Sequence, residues 1–573
     1  MPVSGELKEA IRKYAIKNAI DFGTADPGSV IGKVIPIAKG TPISDIKTEV
    51  QGIVAAVNGM KKEALENAYE PFKIEFEKKA EEVAAKTAKP KMVLDGAVVG
   101  NFATRWPPEP SGYQHLGHAK PMFLEDEFRR LYNGKMFLYF DDTNPEKASQ
   151  EFVDADRADL KWLGIEFDAE YYASDNIDKI YEYARQLIRA GNAYVCKCDQ
   201  ETAKEKRRSM EECEHRSATP EDNLSEFEKM VGGKYDESAA VLRFKGDMKS
   251  QNTVMRDPTI ARIKKDKHYR QGTKYSVWPT YDLAAPIMDS MKGVTDVLRS
   301  KEYELRDELN KKILGLLGLR VPRIHEFARL NVKGNTTHKR EIRKLISDGV
   351  INGWDDPRLM TLIAIKRRGI LPQAIREFAL RFGMSKTDSV LPLDALLAEN
   401  RKIIDPIASH LFFVGKPIKL VVKGAENMDV KLRLHPEKDF GFREYKTTTE
   451  FYISGDDAAG IKVGSIVRLK DLIDVEIKSK NEIIEATKVN TPGSNIIQWV
   501  PAKDSVKSSV LIAGNLMDDD GNLNEDSLSV LEGYAEAYSA KLKEHDIVQF
   551  ERFGYCILDK KDGPSLQFIF ISK

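Results

Sequence analysis

A chain of 573 residues exceeds what one hydrophobic core can hold, and at roughly 150 residues per domain it should comprise three to five domains. Its 89 lysines and arginines equal its 89 aspartates and glutamates, so no overall field draws it to nucleic acid and any RNA contact has to come from local patches. With 42% hydrophobic and 31% charged residues the chain is expected to fold, and the lack of an apolar signal core or long apolar run argues against a membrane span and for the cytoplasm.

Residues 1–92 show helical spacing and close on the charged run KKEALENAYEPFKIEFEKKAEEVAAKTAKP, with Pro90 as the expected stop. This reads as a helical appendage. Over 93–193, apolar runs (VVGNFAT, KMFLYF) alternate with the helical segments QEFVDADRADLKWLG and NIDKIYEYARQLIRAG, the pattern of a parallel α/β sheet. Val98 to Thr104 is expected to be a buried strand and Ala119 to Leu131 a helix. Over 194–274 the rhythm breaks into charged, cysteine-bearing and short β-like pieces, which marks an insertion. It returns over 275–335 with YSVWPTYDLAAPIMD. Residues 336–408 read as helical and basic, and 409–573 as all-β, with glycine and Asp-Gly turns between short apolar strands.

The stretch RWPPEPSGYQHLGH (105–118) lies at the expected strand-to-helix turn. Ligands bind at such turns in open α/β sheets, and a helix start offers free N–H groups to phosphate. His115 and His118, three apart, are expected on one helix face, with Gly117 leaving room near the backbone. A zinc pair is the rival reading, although no HExxH pattern completes it. Three of the four cysteines crowd into 196–213 as C196-K-C198, fourteen residues, then C213-E-H215. Cys196, Cys198, Cys213 and His215 form a plausible tetrahedral Zn2+ knuckle, against the alternative of reduced structural cysteines.

The 105–118 loop resembles the HxGH signature of class I aminoacyl-tRNA synthetases, glutamyl/glutaminyl subclass. FDDTNPEKAS, WPTYDLAAPIMD, GVTDVLRSKEY, GWDDPRLMTL with IKRRG, HPEKDFGF, WVPAKD and VQFERFGYCILD match in order, so the likeness covers nearly everything after residue 95. The appendage is similar to that of archaeal glutamyl-tRNA synthetases. The resemblance implies a multidomain fold: a Rossmann-like α/β catalytic domain in two halves (93–193 and 275–335), an acceptor-end-binding insertion (194–274), a second-signature loop with a helical stem-contact region (336–408), and a β-barrel anticodon-binding region (409–573).

It also implies a chemistry, in which L-glutamate and ATP, with Mg2+, give a glutamyl-adenylate whose glutamyl group passes to the terminal adenosine of tRNA(Glu). Charging of tRNA(Gln) is left open, and a monomer is expected. The implied ATP-binding residues are Pro107, Pro108, Glu109, His115, Gly117, His118 and Lys339. Arg105, Asp141 and Tyr281 are implied to hold the amino acid, and Asp142 is given a structural role. His115 and His118 are implied to stabilise the α-phosphate, and Lys339 with Arg340 the departing pyrophosphate. Two segments compete for the second signature: by letters Met384-Ser385-Lys386, by position THKRE with Lys339. Position decides for Lys339. The pattern departs from the family at Tyr139 (usually arginine), Asp296 (usually histidine) and His338, which keeps an inactive RNA-binding paralogue in view. A glutamine-specific enzyme is the other alternative.

Overall fold

The N-terminal pattern resolves into four helices, α1 (Gly5–Phe22), α2 (Pro27–Val34), α3 (Ile43–Asn58) and α4 (Lys62–Thr87). Ser4 caps α1 by accepting the Leu7 N–H, and Gly23, at φ +83°, ends it in the left-handed turn that glycine tolerates. Leu7, Ile11, Ala15 and Ala19 recur on one face of α1 and bury against Val30, Val34, Val50 and Val54, a core of their own. The computed structural model describes residues 3–38, 41–87, 92–334, 339–518 and 520–573. It comprises two units, Met1–Lys89 and Pro90–Lys573. Pro90, expected as the helix stop, and His338 lie outside the described residues.

In the second unit, β1 (Ala103–Trp106), α5 (Leu116–Leu131), β2 (Lys135–Phe140), α6 (Gln150–Leu163) and β3 (Ala169–Tyr172) alternate, and the strands pair in parallel in the order β1-β2-β3. The first strand is later than the sequence pattern places it. Val98 and Val99 are exposed, because Gly100 at φ +79° turns the chain just after them. Helix α7 (Ile177–Arg189) leads to an antiparallel sheet of β4 (Ala193–Cys196), β5 (Val241–Phe244), β6 (Thr259–Ile263) and β7 (Val277–Pro279), with α8 (Gln200–Ser209) and α9 (Pro220–Val231) between β4 and β5. Leu187, Phe227, Leu242, Phe244 and Trp278 share its core.

The parallel rhythm resumes with α10 (Tyr281–Met291), β8 (Asp296–Ser300), α11 (Asp307–Leu316) and β9 (Arg323–Phe327). β8 and β9 are parallel, and the Thr295 N–H donates to Ala103 O at 2.8 Å, setting β8 beside β1. The chain therefore reverses sheet direction at β1, the kind of switch point that opens a crevice at the strand C-termini. β10 (Leu330–Val332) follows, then α12 (Lys339–Ser347), α13 (Leu362–Arg367) and α14 (Pro372–Leu380). β11 (Ser389–Leu391), which pairs with β10, and α15 (Leu393–Ile404) come next. From Ser409 on, two nearly barrel-like seven-stranded sheets carry separate cores, one around Leu420, Val467 and Trp499, the other around Phe413, Val510, Phe550 and Phe568.

Candidate active site

A cavity of about 610 Å³ opens at the C-terminal ends of β1 and β8. The 105–118 loop forms one wall. It is held in place by Met360–Leu362: the Leu116 N–H donates to Met360 O and the Leu362 N–H to Gln114 O, both at 2.9 Å. His115 is not inside α5 but its extended N-cap, so the two histidines do not share a helix face as the spacing implied. Their rings instead stack at 3.7 Å. Each Nδ1 accepts a backbone N–H, His115 from Gly117 at 3.1 Å and His118 from His115 at 3.3 Å. In the neutral tautomer that leaves Nε2–H as the outward donor of each ring. Burial, reinforced by His115, Lys339 and Arg329, holds His118 well below the usual histidine range, so it acts as a neutral donor. Gly117 is small because a Cβ there would lie 2.8 Å from the His115 ring.

Lys339 lines the cavity beside this loop. Its stem lies across Gly112, where a Cβ would come within 2.7 Å of Lys339 Cδ, and its ammonium reaches Ser111 Oγ at 3.1 Å. Burial lowers its pKa. α12 is braced from two sides. Arg343 Nη2 donates to Ser111 O at 2.8 Å, and Leu516, fully buried, packs with Ile342, Ile351 and Leu359. The Met517 N–H donates to Gly334 O at 3.1 Å, and a Cβ on Gly334 (φ +79°) would strike the Asn515 side chain at 2.6 Å. Residues 515–517 thus reach from the second β-sheet to Gly334.

Elsewhere around the cavity, Arg105 Nε donates to Asp289 Oδ1 at 2.7 Å, both side chains buried, and Arg299 pairs with Asp307 and meets Tyr281 Oη at 3.4 Å. Asp141 accepts from Thr143 Oγ1 at 3.0 Å, and burial raises its carboxyl to about 6. Its neighbour Asp142 faces away, fully buried, accepting from Ser174 N, Ser174 Oγ and Tyr269 Oη. Tyr139 packs in the core against Ala173 and Met288 and contributes no charge to the cavity. Asp296 is likewise internal, held near a pKa of about 2 by His325, Arg323 and Thr295 despite burial.

The family model for the catalytic domain of class I tRNA synthetases (E and Q) matches residues 101–405, and those for the corresponding anti-codon binding domains match 408–491 and 496–559. The chain belongs to this family. Among its relatives, a glutamate–tRNA ligase of Nitrosopumilus maritimus (strain SCM1) is 41% identical over 99% of this chain and 100% of its own length. One of Cenarchaeum symbiosum (strain A) is 40% identical over 95% and 96%, and one of Pyrococcus furiosus 36% over 99% and 100%.

Not every residue predicted for this class I synthetase meets the cavity. Arg105, Pro107, Pro108, Glu109, His115, Gly117, His118, Asp141, Tyr281 and Lys339 line it. Arg340 does not; it points to solvent, and Arg343, one turn later, makes the contact to Ser111. Lys386 lies elsewhere, its ammonium 2.7 Å from Glu326, and the segment leads into β11 rather than directly into a helix. Sequence reading missed Arg299, Arg262, Arg306 and Arg329 at the cavity. For Arg299 a signal existed: like Arg105, it stands near the C-terminal end of a parallel strand. Cys196, Cys198, Cys213 and His215 come together away from the cavity, with all four ligand atoms within 4.8 Å of one another. No helix among the described residues is long and apolar enough to cross a membrane.

Proposed function

We propose that this synthetase is a glutamate–tRNA ligase. The observation that carries the reading is the convergence of Arg105 and Arg299, from adjacent strand ends, on a cavity that also presents Asp141, the two histidines and Lys339. Asp141 accepts the α-ammonium of L-glutamate, and the two guanidinium groups take the side-chain carboxylate. ATP, carrying its Mg2+, lies along Pro107 to Glu109 and over Gly117. The α-carboxylate attacks the α-phosphorus, and the bond to the β-phosphate oxygen breaks. The Nε2–H groups of His115 and His118 stabilise the charge that builds on the α-phosphate, and Lys339 that on the leaving pyrophosphate. A tRNA ribose hydroxyl then displaces AMP from the glutamyl carbonyl.

Glutamine in the same place leaves buried guanidinium charge facing a neutral amide, which should cost discrimination on the order of a hundredfold. Pyrophosphate exchange into ATP in the presence of tRNA, with each amino acid, tests this. Glutamate is expected to be preferred, glutamine preference makes the chain a glutamine enzyme, and no exchange makes it an inactive paralogue. Aminoacylation of purified tRNA(Glu) and tRNA(Gln) defines the tRNA range.

We further propose a structural Zn2+ on Cys196, Cys198, Cys213 and His215. Sulfur–sulfur separations of 3.6 Å (Cys196–Cys213) and 3.2 Å (Cys198–Cys213), with His215 Nδ1 3.1 Å from Cys213 Sγ, fit ligands converging on one tetrahedral ion. The ion would bind the loop after β4 to the turn at Cys213 and supply no catalytic step.

A further inference from the structure

Against Arg299 lies a second, far smaller cavity of about 10 Å³, walled on its polar side by Asp289, Arg299, Asn310 and the exposed Lys311, with Val297 and Ile324 among its apolar lining. That volume suits one water molecule and no larger ligand. Its polar wall is complementary. Arg299 Nε is a donor and Asn310 Oδ1 an acceptor; both are buried, and neither bonds to another group among the described residues. Asp289, whose Oδ1 already takes Arg105 Nε–H at 2.7 Å, presents a carboxylate to the same space. A buried guanidinium N–H and a buried amide oxygen left without partners would each carry a desolvation cost.

We infer that this cavity is a binding site for a single structural water, which accepts from Arg299 Nε and donates to Asn310 Oδ1 and the Asp289 carboxylate. Asn310 is thereby a positioning residue for the amino-acid pocket. Arg299 already gives Nη1 to Tyr281 and Nη2 to Asp307. With Nε fixed as well, its guanidinium plane is set on three sides, and one continuous bonded chain runs from Arg105 through Asp289, the water and Arg299 to Asp307. Both arginines are then oriented by a support that touches no substrate. Asn310 stands on α11, a helix that none of the motifs singles out.

A crystal structure of the full chain reads the site directly: density in hydrogen-bonding reach of Arg299 Nε is expected, and a dry cavity overturns the inference. Kinetics supply a second reading. Asn310→Leu, close in shape but without an acceptor, should raise KM for glutamate about tenfold, the worth of one hydrogen bond to a charged group, with KM for ATP unchanged. Asn310→Asp, which keeps an acceptor, should restore it. Equal rises in both KM values, or none, count against the inference. If Asn310→Leu does not fold, the density decides alone. The kinetic arm rests on the reading that Arg299 faces glutamate, so Arg299→Gln is its control: if that variant leaves glutamate KM unchanged, the substrate reading has failed and the density still decides the water.

Discussion

Lys339 and Lys386 carry the same charge, and their surroundings assign them opposite fates. One is drawn over Gly112 toward Ser111 at the cavity, the other is paired with Glu326. Lys339→Ala should slow single-turnover adenylate formation about a hundredfold with little change in ATP affinity, whereas Lys386→Ala should leave that step intact. The reverse pattern would reassign the second signature. Asp141 gives a pH signature. Its carboxyl, raised to about 6 from the ordinary 3.8, is ionised only above that pH, and the proposed pairing with the substrate ammonium needs the ionised form. KM for glutamate should therefore rise about tenfold between pH 7 and pH 5. For stability the sign is opposite. An acid with a raised folded pKa binds more protons folded than unfolded, so stability falls as pH climbs from about 4 to 6. Asp141→Asn should thus stabilise the free protein by about 1–3 kcal/mol at pH 7.5 and by nothing at pH 3, while abolishing glutamate binding. Thermal melts at the two pH values with matched glutamate titrations decide it.

Among the elements, α12, which begins at Lys339, is held by residues far away in sequence. Truncating Leu516 to alanine should cost about 3 kcal/mol in chemical denaturation, as for other fully buried leucines, and should slow adenylation by freeing α12. An unchanged adenylation rate at reduced stability would show that the brace is only structural. At the knuckle, Cys213→Ser should abolish stoichiometric zinc in elemental analysis and loosen the antiparallel insertion, while glutamate activation stays near normal. Protein purified without chelator that contains no zinc refutes the site. Both elements also mark the limit of sequence reading. The cysteine spacing was legible because four ligands within twenty residues form a local pattern, and so was the strand-to-helix turn before α5. The brace at Leu516 was not, because it depends on packing between segments far apart in sequence, with no periodicity linking them, whereas Arg299 was legible only through its place near the end of a parallel strand. Val98 and Val99 misled for a local reason: two β-branched residues resemble a strand until Gly100 turns the chain.

At the scale of the molecule, the N-terminal unit owns a core of Ile11, Val34, Val50 and Val54. A fragment of residues 1–89 should accordingly be helical and melt cooperatively by circular dichroism on its own; a featureless spectrum would show that it needs the remainder of the chain. The parallel rhythm, the insertion and the β-rich C-terminal region were visible from alternation and turn residues. The switch at β1, which makes the crevice, required the pairing of strands nearly two hundred residues apart. The brace between the second β-sheet and Gly334 has a consequence for how the protein is made. Synthesis runs from the N-terminus, so both histidines and Lys339 leave the ribosome well before Leu516 and Met517 do. A nascent chain stalled short of those two residues holds both histidines and Lys339, yet lacks the contacts of Leu516 with α12 and of Met517 with Gly334. If the brace governs adenylation, such a chain should form adenylate more slowly than the full protein, so that ATP consumption waits until the second anti-codon binding domain is almost complete.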